Sequence, residues 1–457
     1  MTKDRTFDIS SREIISRVPS SIQNAELFDC HMHTFDYECV PDNFFPKWLM
    51  SFAKNHLSVF IKIMKKLSRR WEDSKLKRMA TFASAFNKTQ LEILDSLYKE
   101  VNQKLGLKNM HYLILMMDMN FMDRGNCPKS LRTQLQELIQ IRTMPKYQNL
   151  IYPFLAVDPR REIKESEPNL KLLPLFDDFK NDIFGLKLYC GLGYFPVGKC
   201  EGIDKLKRDL QQHPRKFNRF ERKVAEEIIA ESEIMDMVYK IANDRKLPII
   251  THCGIYNAVY TNMPRRKMIT KIKIGIKYLW DKHTFEEVGL VPSKRRFFQN
   301  FTRTHYWKKK RYLANFFFLP QNYRSVLKNY PNLKLCFGHF GGQDEWDRHF
   351  GHLPAKGRKH FFKPKQDWML TIIELMREFD NAYADLAYNM CFTQLYADLN
   401  DLLSNTDIGD RILYATDYFF NEGEQSAFQY NQNIINRMKE SMFLQIAQKN
   451  PKKFLFG

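Results

Sequence analysis

Short apolar runs rich in β-branched and aromatic residues recur along the chain, and longer segments with apolar residues at helical spacing separate them. Segments 222–244 and 368–379 show the three- and four-residue spacing of amphipathic helices. We predict eight strands, at residues 25–30, 112–117, 151–157, 183–189, 247–252, 333–339, 382–386 and 412–416. Strands that alternate with helices indicate a parallel sheet with crossover helices. Eight such units predict an α/β protein with a single (β/α)8 TIM barrel domain over residues 1–457.

Polar residues that could bind a metal ion lie at the ends of several predicted strands. They are His31 and His33 after the first strand, Lys187 in the fourth, His252 at the end of the fifth, His339 at the end of the sixth and Asp417 after the eighth. Residues i and i+2 of a strand share a face, so His31 and His33 can bind one ion together. Each residue also fits an ordinary role, such as a hydrogen-bonded core histidine or a helix N-cap. Since active sites of such barrels form at the carboxyl ends of the strands, the joint pattern favours a metal site.

Further short motifs accompany these residues. They are Val157-Asp158-Pro159-Arg160, His339-Phe340-Gly341-Gly342, Tyr383-Ala384-Asp385-Leu386 and the final run 450–457. Together with the H-x-H pair and the Gly-Leu-Lys-Leu-Tyr run around Lys187, they make the chain resemble the amidohydrolase superfamily. Within it the chain is most similar to the amidohydrolase-related family, which also contains metal-dependent decarboxylases and hydratases. The resemblance extends from Leu27 onward, apart from two insertions.

The resemblance implies roles for the candidate residues. His31, His33, His252 and Asp417 would be the ligands of one ion, usually zinc, with manganese as the alternative. Three neutral imidazoles and one carboxylate leave such an ion an open position for water. That water would attack a carbonyl carbon, and Asp417 would accept its proton. His339 would orient or polarise the reacting group, so we assign it to catalysis rather than to the metal.

Lys187 fits two arrangements. In members with two metal ions, a carboxylated lysine on the fourth strand bridges the ions, and His252 and His339 bind the second one. In members with one ion, a lysine here could bind a substrate carboxylate or an oxyanion. The sequence permits both arrangements, and the likeness to the amidohydrolase-related family favours a single ion.

The chain has a formal net charge of +20, and two segments carry the basic excess. Residues 44–109 contain 14 Lys and Arg against 5 Asp and Glu, and residues 254–331 contain 17 against 3. We predict two basic helical insertions, after strands one and five, over the carboxyl-terminal face of the barrel. A basic lid would concentrate anionic substrates, whereas solvated helix faces are the simplest alternative. Contact with nucleic acid or a membrane surface is disfavoured.

The cysteines and the apolar stretches bear on the cellular setting. Eight cysteines are scattered without a C-x-x-C pair, residues 1–5 lack an apolar core, and no apolar run is long enough to span a membrane. We therefore expect a reduced, cytoplasmic protein.

The predicted function is that of a metal-dependent hydrolase of an amide, ester or lactone bond in a small, anionic substrate. The alternatives left open are a decarboxylase of the same family and, less favoured, a barrel with a vestigial metal site that binds nucleic acid or an acidic partner.

Overall fold

A computed structural model describes residues 18–44, 88–254, 259–280, 310–352, 368–405 and 407–457. Eight parallel strands follow one another in chain order in a single sheet. They are β1 (Leu27–Met32), β2 (Met110–Leu115), β3 (Ile151–Val157), β4 (Gly185–Leu188), β5 (Ile249–Gly254), β6 (Leu335–Gly341), β7 (Ala382–Asp385) and β8 (Ile412–Leu413). The predicted barrel is confirmed.

The two ends of the sheet meet, and hydrogen bonds between β1 and the segment that includes β8 close the barrel. The backbone N–H of Cys30 donates to the carbonyl oxygen of Tyr414 at 3.0 Å. The N–H of Asp417 donates to the carbonyl oxygen of His31 at 2.8 Å. These bonds place two of the candidate site residues, His31 and Asp417, on adjacent strand ends.

Helices connect successive strands. The described residues include α1 (Ser20–Asn24), α2 (Gln90–Tyr98), α3 (Leu131–Thr143), α4 (Pro159–Lys164), α5 (Leu172–Asp178), α6 (Glu201–Gln212), α7 (Arg219–Asp244), α8 (Arg265–Tyr278), α9 (Lys310–Phe318), α10 (Arg324–Asn329), α11 (Gln343–His349), α12 (Trp368–Glu378), α13 (Leu395–Asn405), α14 (Ala427–Arg437), α15 (Glu440–Leu444) and α16 (Asn450–Phe456). The two predicted helices 222–244 and 368–379 correspond to α7 and α12. Within the described ranges, every helix is too short or too polar to cross a membrane.

Apolar side chains fill the barrel interior below the candidate site. This cluster consists of Phe28, Cys30, Leu113, Leu115, Tyr152, Phe154, Ile250, Cys336, Tyr383, Leu413 and Phe454. β4 contributes a glycine to this layer, because a Cβ atom at Gly185 would lie 2.2 Å from the ring of Phe154. Since side chains alternate along a strand, Lys187 shares the face of Gly185 and enters the interior two residues nearer the carboxyl end.

The first predicted insertion is described from residue 88 onward. It includes α2, which begins with a capping box between Thr89 and Glu92 and buries Ile93, Leu94 and Leu97. Residues 45–87 of this insertion lie outside the described residues.

The second predicted insertion contributes α8, α9 and α10, and α8 packs on α7. The buried Lys271 donates to the Glu231 carboxylate at 2.6 Å and to the carbonyl oxygen of Gly193 at 2.8 Å. Lys267 pairs with Glu227 at 2.6 Å. Part of the basic charge of this segment therefore neutralises acidic residues of α7. The basic run 294–296 and residues 307–309 lie outside the described residues, and the position of both insertions over the barrel mouth stays a prediction.

Candidate metal centre at the carboxyl end of the barrel

The structure brings the predicted site residues to one end of the barrel. The ligand atoms of His31, His339 and Asp417 all lie within 4.8 Å of one another. Nε2 of His33 is 3.7 Å from Oδ1 of Asp417, and Nε2 of His31 is 3.9 Å from the same oxygen. All four side chains are buried. His339, which the sequence analysis assigned to catalysis, thus lies within reach of the same point as the predicted ligands.

Backbone oxygens orient two of these imidazoles. Nδ1 of His33 is 2.7 Å from the carbonyl oxygen of Leu115, and Nδ1 of His339 is 3.1 Å from that of Ala387. A carbonyl oxygen only accepts hydrogen bonds, so Nδ1 carries the proton in both rings. Nε2 of each neutral ring therefore keeps its lone pair, and Nε2 is the atom that a metal ion would bind.

A carboxylate orients the third imidazole. Nδ1 of His31 is 2.8 Å from Oδ2 of Asp385, and its Nε2 is 3.1 Å from Nζ of Lys187. The carboxylate accepts and the ammonium group donates, so His31 also carries its proton on Nδ1. Lys187 is buried and lies within this centre rather than at an exposed edge of the sheet.

His252 contacts the centre through His339. Its Nδ1 is 3.0 Å from Nε2 of His339, and it donates there because that nitrogen holds a lone pair. The His252 ring packs near Tyr189 and Phe318, with centroid distances of 4.5 and 5.0 Å. The role of His252 as a ligand of the first ion stays a prediction.

Two of the site residues have left-handed backbone conformations. The φ angles are 64° at His339 and 61° at Asp417, which non-glycine residues rarely adopt. The N–H of His339 donates to Oδ1 of Asp385 at 2.8 Å, and its carbonyl oxygen accepts from Nδ2 of Asn389 at 2.8 Å. These bonds hold the strand end in the turn that directs the His339 ring toward Asp417.

Burial sets the protonation of the centre. It lowers the pKa of His31 and His33 well below the ordinary range and that of His339 to about 4, with Lys187 adding to each shift. Burial also raises the pKa of Asp417, which Lys187 opposes, and lowers the pKa of Lys187 to about 8. The imidazoles are therefore neutral near pH 7, as metal ligation requires.

The donor set fits a divalent metal ion. Neutral imidazole nitrogens and one carboxylate are ligands that zinc and manganese accept, and the buried carboxylates of Asp417 and Asp385 would be stabilised by a cation. Among the described residues, Lys187 is the cation that lowers the pKa of Asp417, whereas Asp385 and Asp29 raise it. The residues present thus suit such an ion by charge as well as by ligand type.

Gly338 leaves the space that the His31 ring occupies. A Cβ atom there would lie 2.9 Å from Cε1 of His31 and 2.8 Å from the carbonyl oxygen of Thr251. We expect Gly338→Ala to lower the free energy of unfolding by about 1–3 kcal/mol and to weaken metal binding, because the ring must shift. Thermal unfolding and metal content measure both effects.

Gly254→Ala is the matched control. Its Cβ atom would lie 3.7 Å from Nε2 of His252 and 3.8 Å from Cβ of His339, which are ordinary contact distances. Equal losses of stability and metal in both variants would contradict a specific role for Gly338.

Sequence reasoning missed two buried carboxylates. Asp385 lay in a quoted motif but received no role, although a carboxylate that ends a barrel strand was an available signal. Asp29, inside β1, accepts from Oγ1 of Thr416 at 2.5 Å and from its N–H at 3.0 Å. Asp29 therefore joins β1 to the segment that ends in Asp417.

Comparison with known proteins places this geometry in context. A protein-family model described as amidohydrolase matches residues 208–456. No curated protein matches the sequence.

Among solved structures, an uncharacterized TIM-barrel protein from Bordetella bronchiseptica is 12% identical with a TM-score of 0.41, covering 94% of this chain and 98% of its own. The 5-carboxyvanillate decarboxylase of Novosphingobium aromaticivorans, complexed with manganese and 4-hydroxy-3-methoxy-5-nitrobenzoic acid, is 10% identical with a TM-score of 0.44, covering 97% and 99%. The 4-oxalomesaconate hydratase of Rhodopseudomonas palustris is 11% identical with a TM-score of 0.39, covering 94% and 95%.

Proposed function

Because the chain belongs to the amidohydrolase family, whose enzymes are mostly metal-dependent, we propose that it is a metal-dependent hydrolase. Its reaction would be attack of water on the carbonyl carbon of an amide, ester or lactone in a small, anionic substrate. One observation carries the proposal. The unprotonated Nε2 atoms of His31 and His33 lie 3.9 and 3.7 Å from Oδ1 of Asp417, and a ring nitrogen of His339 lies within 4.8 Å of this carboxylate, in a buried setting.

The proposed ligands are His31, His33, His252 and Asp417. The short distances from His339 to these residues support its place in the same centre. The ion would be zinc or manganese, and when bound it would lower the pKa of a water molecule and polarise a carbonyl group. The Nδ1–H bond of His33 to a backbone oxygen fixes its ring for ligation, and the corresponding bond of His339 orients its ring for catalysis.

Asp417 and His339 are the proposed catalytic residues beside the reacting group. An oxygen of Asp417 would accept the proton of the attacking water and pass it to the leaving atom, so that proton transfer and bond cleavage balance. Burial, which disfavours the charged carboxylate, suits Asp417 to hold this proton transiently. His339 would orient the reacting group through its unprotonated Nε2.

Lys187 is proposed to act with a single ion. Its buried ammonium group, 3.1 Å from Nε2 of His31, could bind a substrate carboxylate or a developing oxyanion. The rival arrangement is a carboxylated Lys187 between two ions, with His252 and His339 as ligands of the second.

A substrate panel tests the reaction. The zinc- and manganese-loaded proteins would be incubated with amides, esters and lactones that carry a carboxylate, and with carboxylic acids assayed for carbon dioxide release. We expect hydrolysis that chelator abolishes and that the His31→Ala/His33→Ala variant lacks. Metal-dependent release of carbon dioxide without hydrolysis would establish the decarboxylase instead. Salt-sensitive binding of nucleic acid without any turnover would favour the binding barrel.

A further inference from the structure

We propose that Asp385 is a positioning residue that fixes the tautomer of His31 and the backbone turn at His339 with one carboxylate. Asp385 ends β7 and is fully buried. Its two oxygens bond to residues of different strands, Oδ2 to His31 on β1 and Oδ1 to His339 on β6. This inference deepens the proposed function and rests on it wherever metal affinity is concerned.

Three nitrogen donors converge on Asp385, and the thiol of Cys336 lies 3.8 Å from its Oδ2. Oδ2 is 2.8 Å from Nδ1 of His31. Oδ1 accepts from the backbone N–H of His339 at 2.8 Å and from that of Ala387 at 3.1 Å. The two backbone groups can only donate, and a carboxylate can only accept. Oδ1 is therefore an acceptor, and in the ionised carboxylate Oδ2 accepts as well, from Nδ1 of His31.

The first consequence concerns His31. With its proton on Nδ1, the ring presents the lone pair of Nε2 to the centre, beside Lys187. The other tautomer would place a proton on Nε2 and remove the lone pair that a metal ion needs. Asp385 thus selects the tautomer of His31 that can act as a ligand.

The second consequence concerns His339. Asp385 binds the N–H of His339, and the carbonyl oxygen of Ala387, two residues after Asp385, accepts from Nδ1 of the same histidine. The strand end of β7 therefore holds both the backbone and the ring of His339. A single loop couples the ligand on β1 to the histidine on β6.

Asparagine at position 385 cannot reproduce this pattern, because its side chain has one acceptor oxygen and one donor group. If the oxygen stays on the two backbone N–H groups, the NH₂ group faces Nδ1 of His31. That nitrogen must then accept, so the proton of His31 moves to Nε2. In that state Nε2–H also faces Nζ of Lys187, and the ligand atom is blocked.

The first experiment compares zinc and manganese affinity of full-length wild-type, Asp385→Asn and Asp236→Asn proteins. Asp236 is a matched control, since this buried carboxylate on α7 also accepts from a backbone N–H, that of Lys199, and from a side-chain donor, the hydroxyl of Tyr330. We expect affinity to fall about 10- to 100-fold in Asp385→Asn and to stay unchanged in Asp236→Asn. Wild-type affinity in Asp385→Asn, or an equal loss in both variants, would overturn the proposal.

The second experiment does not depend on the folding of an Asp385 variant or on metal binding. The full chain is labelled with ¹⁵N-histidine and treated with chelator, and the His31 ring signals are identified as those absent from His31→Gln. We expect a protonated Nδ1 and an unprotonated Nε2 near neutral pH. A proton on Nε2 would overturn the tautomer assignment. A wild-type protein that binds no metal but shows the expected tautomer would count against the proposed function alone.

Discussion

Asp417→Asn should lower kcat/KM by about 1,000-fold or more and reduce bound metal, while the thermal unfolding midpoint of the metal-free variant stays equal to that of the metal-free wild type or rises. The loss of activity follows from removal of both a ligand and the proposed proton acceptor, since a general base alone accounts for about 100- to 10,000-fold. The unchanged or higher unfolding midpoint follows from the burial of Asp417. A carboxylate whose pKa burial raises is held in its charged form at a cost, and asparagine keeps its shape without the charge.

The measurements are steady-state kinetics and metal content of the metal-loaded proteins, and thermal unfolding of the same proteins after chelator treatment. Asp236→Asn serves as the control, because it removes a buried carboxylate on α7 that is not one of the proposed site residues. Activity within tenfold of the wild type, or a drop in unfolding midpoint that matches the loss of activity, would show that Asp417 is structural rather than functional.

Lys187→Met should lower kcat/KM by about 100-fold or more and leave about one metal ion bound per chain. Methionine keeps the length and flexibility of the lysine stem but removes the charge, so the packing of the barrel interior should survive. The reason for the loss is that Lys187 is the buried cation beside His31, where a substrate carboxylate or oxyanion would need a positive partner.

Kinetics with paired substrates separate the two roles open to Lys187. If it binds a substrate carboxylate, the loss in Lys187→Met should be larger for a substrate with that carboxylate than for the analogue without it. A fall from two equivalents of metal to one would instead establish the carboxylated bridge. Unchanged activity and metal content would remove Lys187 from both roles.

Much of the fold could be predicted because the strands are short apolar runs bounded by polar residues. The observed strand ends differ from the predicted ones where the backbone hydrogen bonds between strands stop before or continue beyond the apolar run. β5 continues past the predicted end at His252 because Gly254 pairs with Gly341 of β6. β8 comprises only two residues because the chain beyond Leu413 bonds to β1 instead.

The candidate site was predictable only in part. Histidines and an aspartate at strand ends can be recognised in the sequence as site candidates, since parallel strands bring their carboxyl ends together. The partners that set the tautomers do not, because the carbonyl oxygens of Leu115 and Ala387 belong to residues of any type. The position of His339 beside Asp417 likewise depends on a backbone turn that no local pattern specifies.

The partners of the basic residues were also not predictable from the sequence pattern. Lys271 and Lys267 are two of many basic residues in the second insertion, and both find acidic partners on α7. Which basic side chain meets an acidic one depends on how α8 packs, and residue counts carry no information on that. For these residues, the charge contributes to docking of α8 rather than to attraction of a substrate.

The central claim is a metal centre formed by the histidines of β1 and Asp417, and the metal content per chain tests it most directly. Elemental mass spectrometry would be applied to wild-type protein and to His31→Ala/His33→Ala, both purified without chelator and without an affinity tag. The proposal predicts about one equivalent of zinc or manganese in the wild type and none in the variant. No metal in the wild type after both ions are supplied, or equal metal in both proteins, would contradict it.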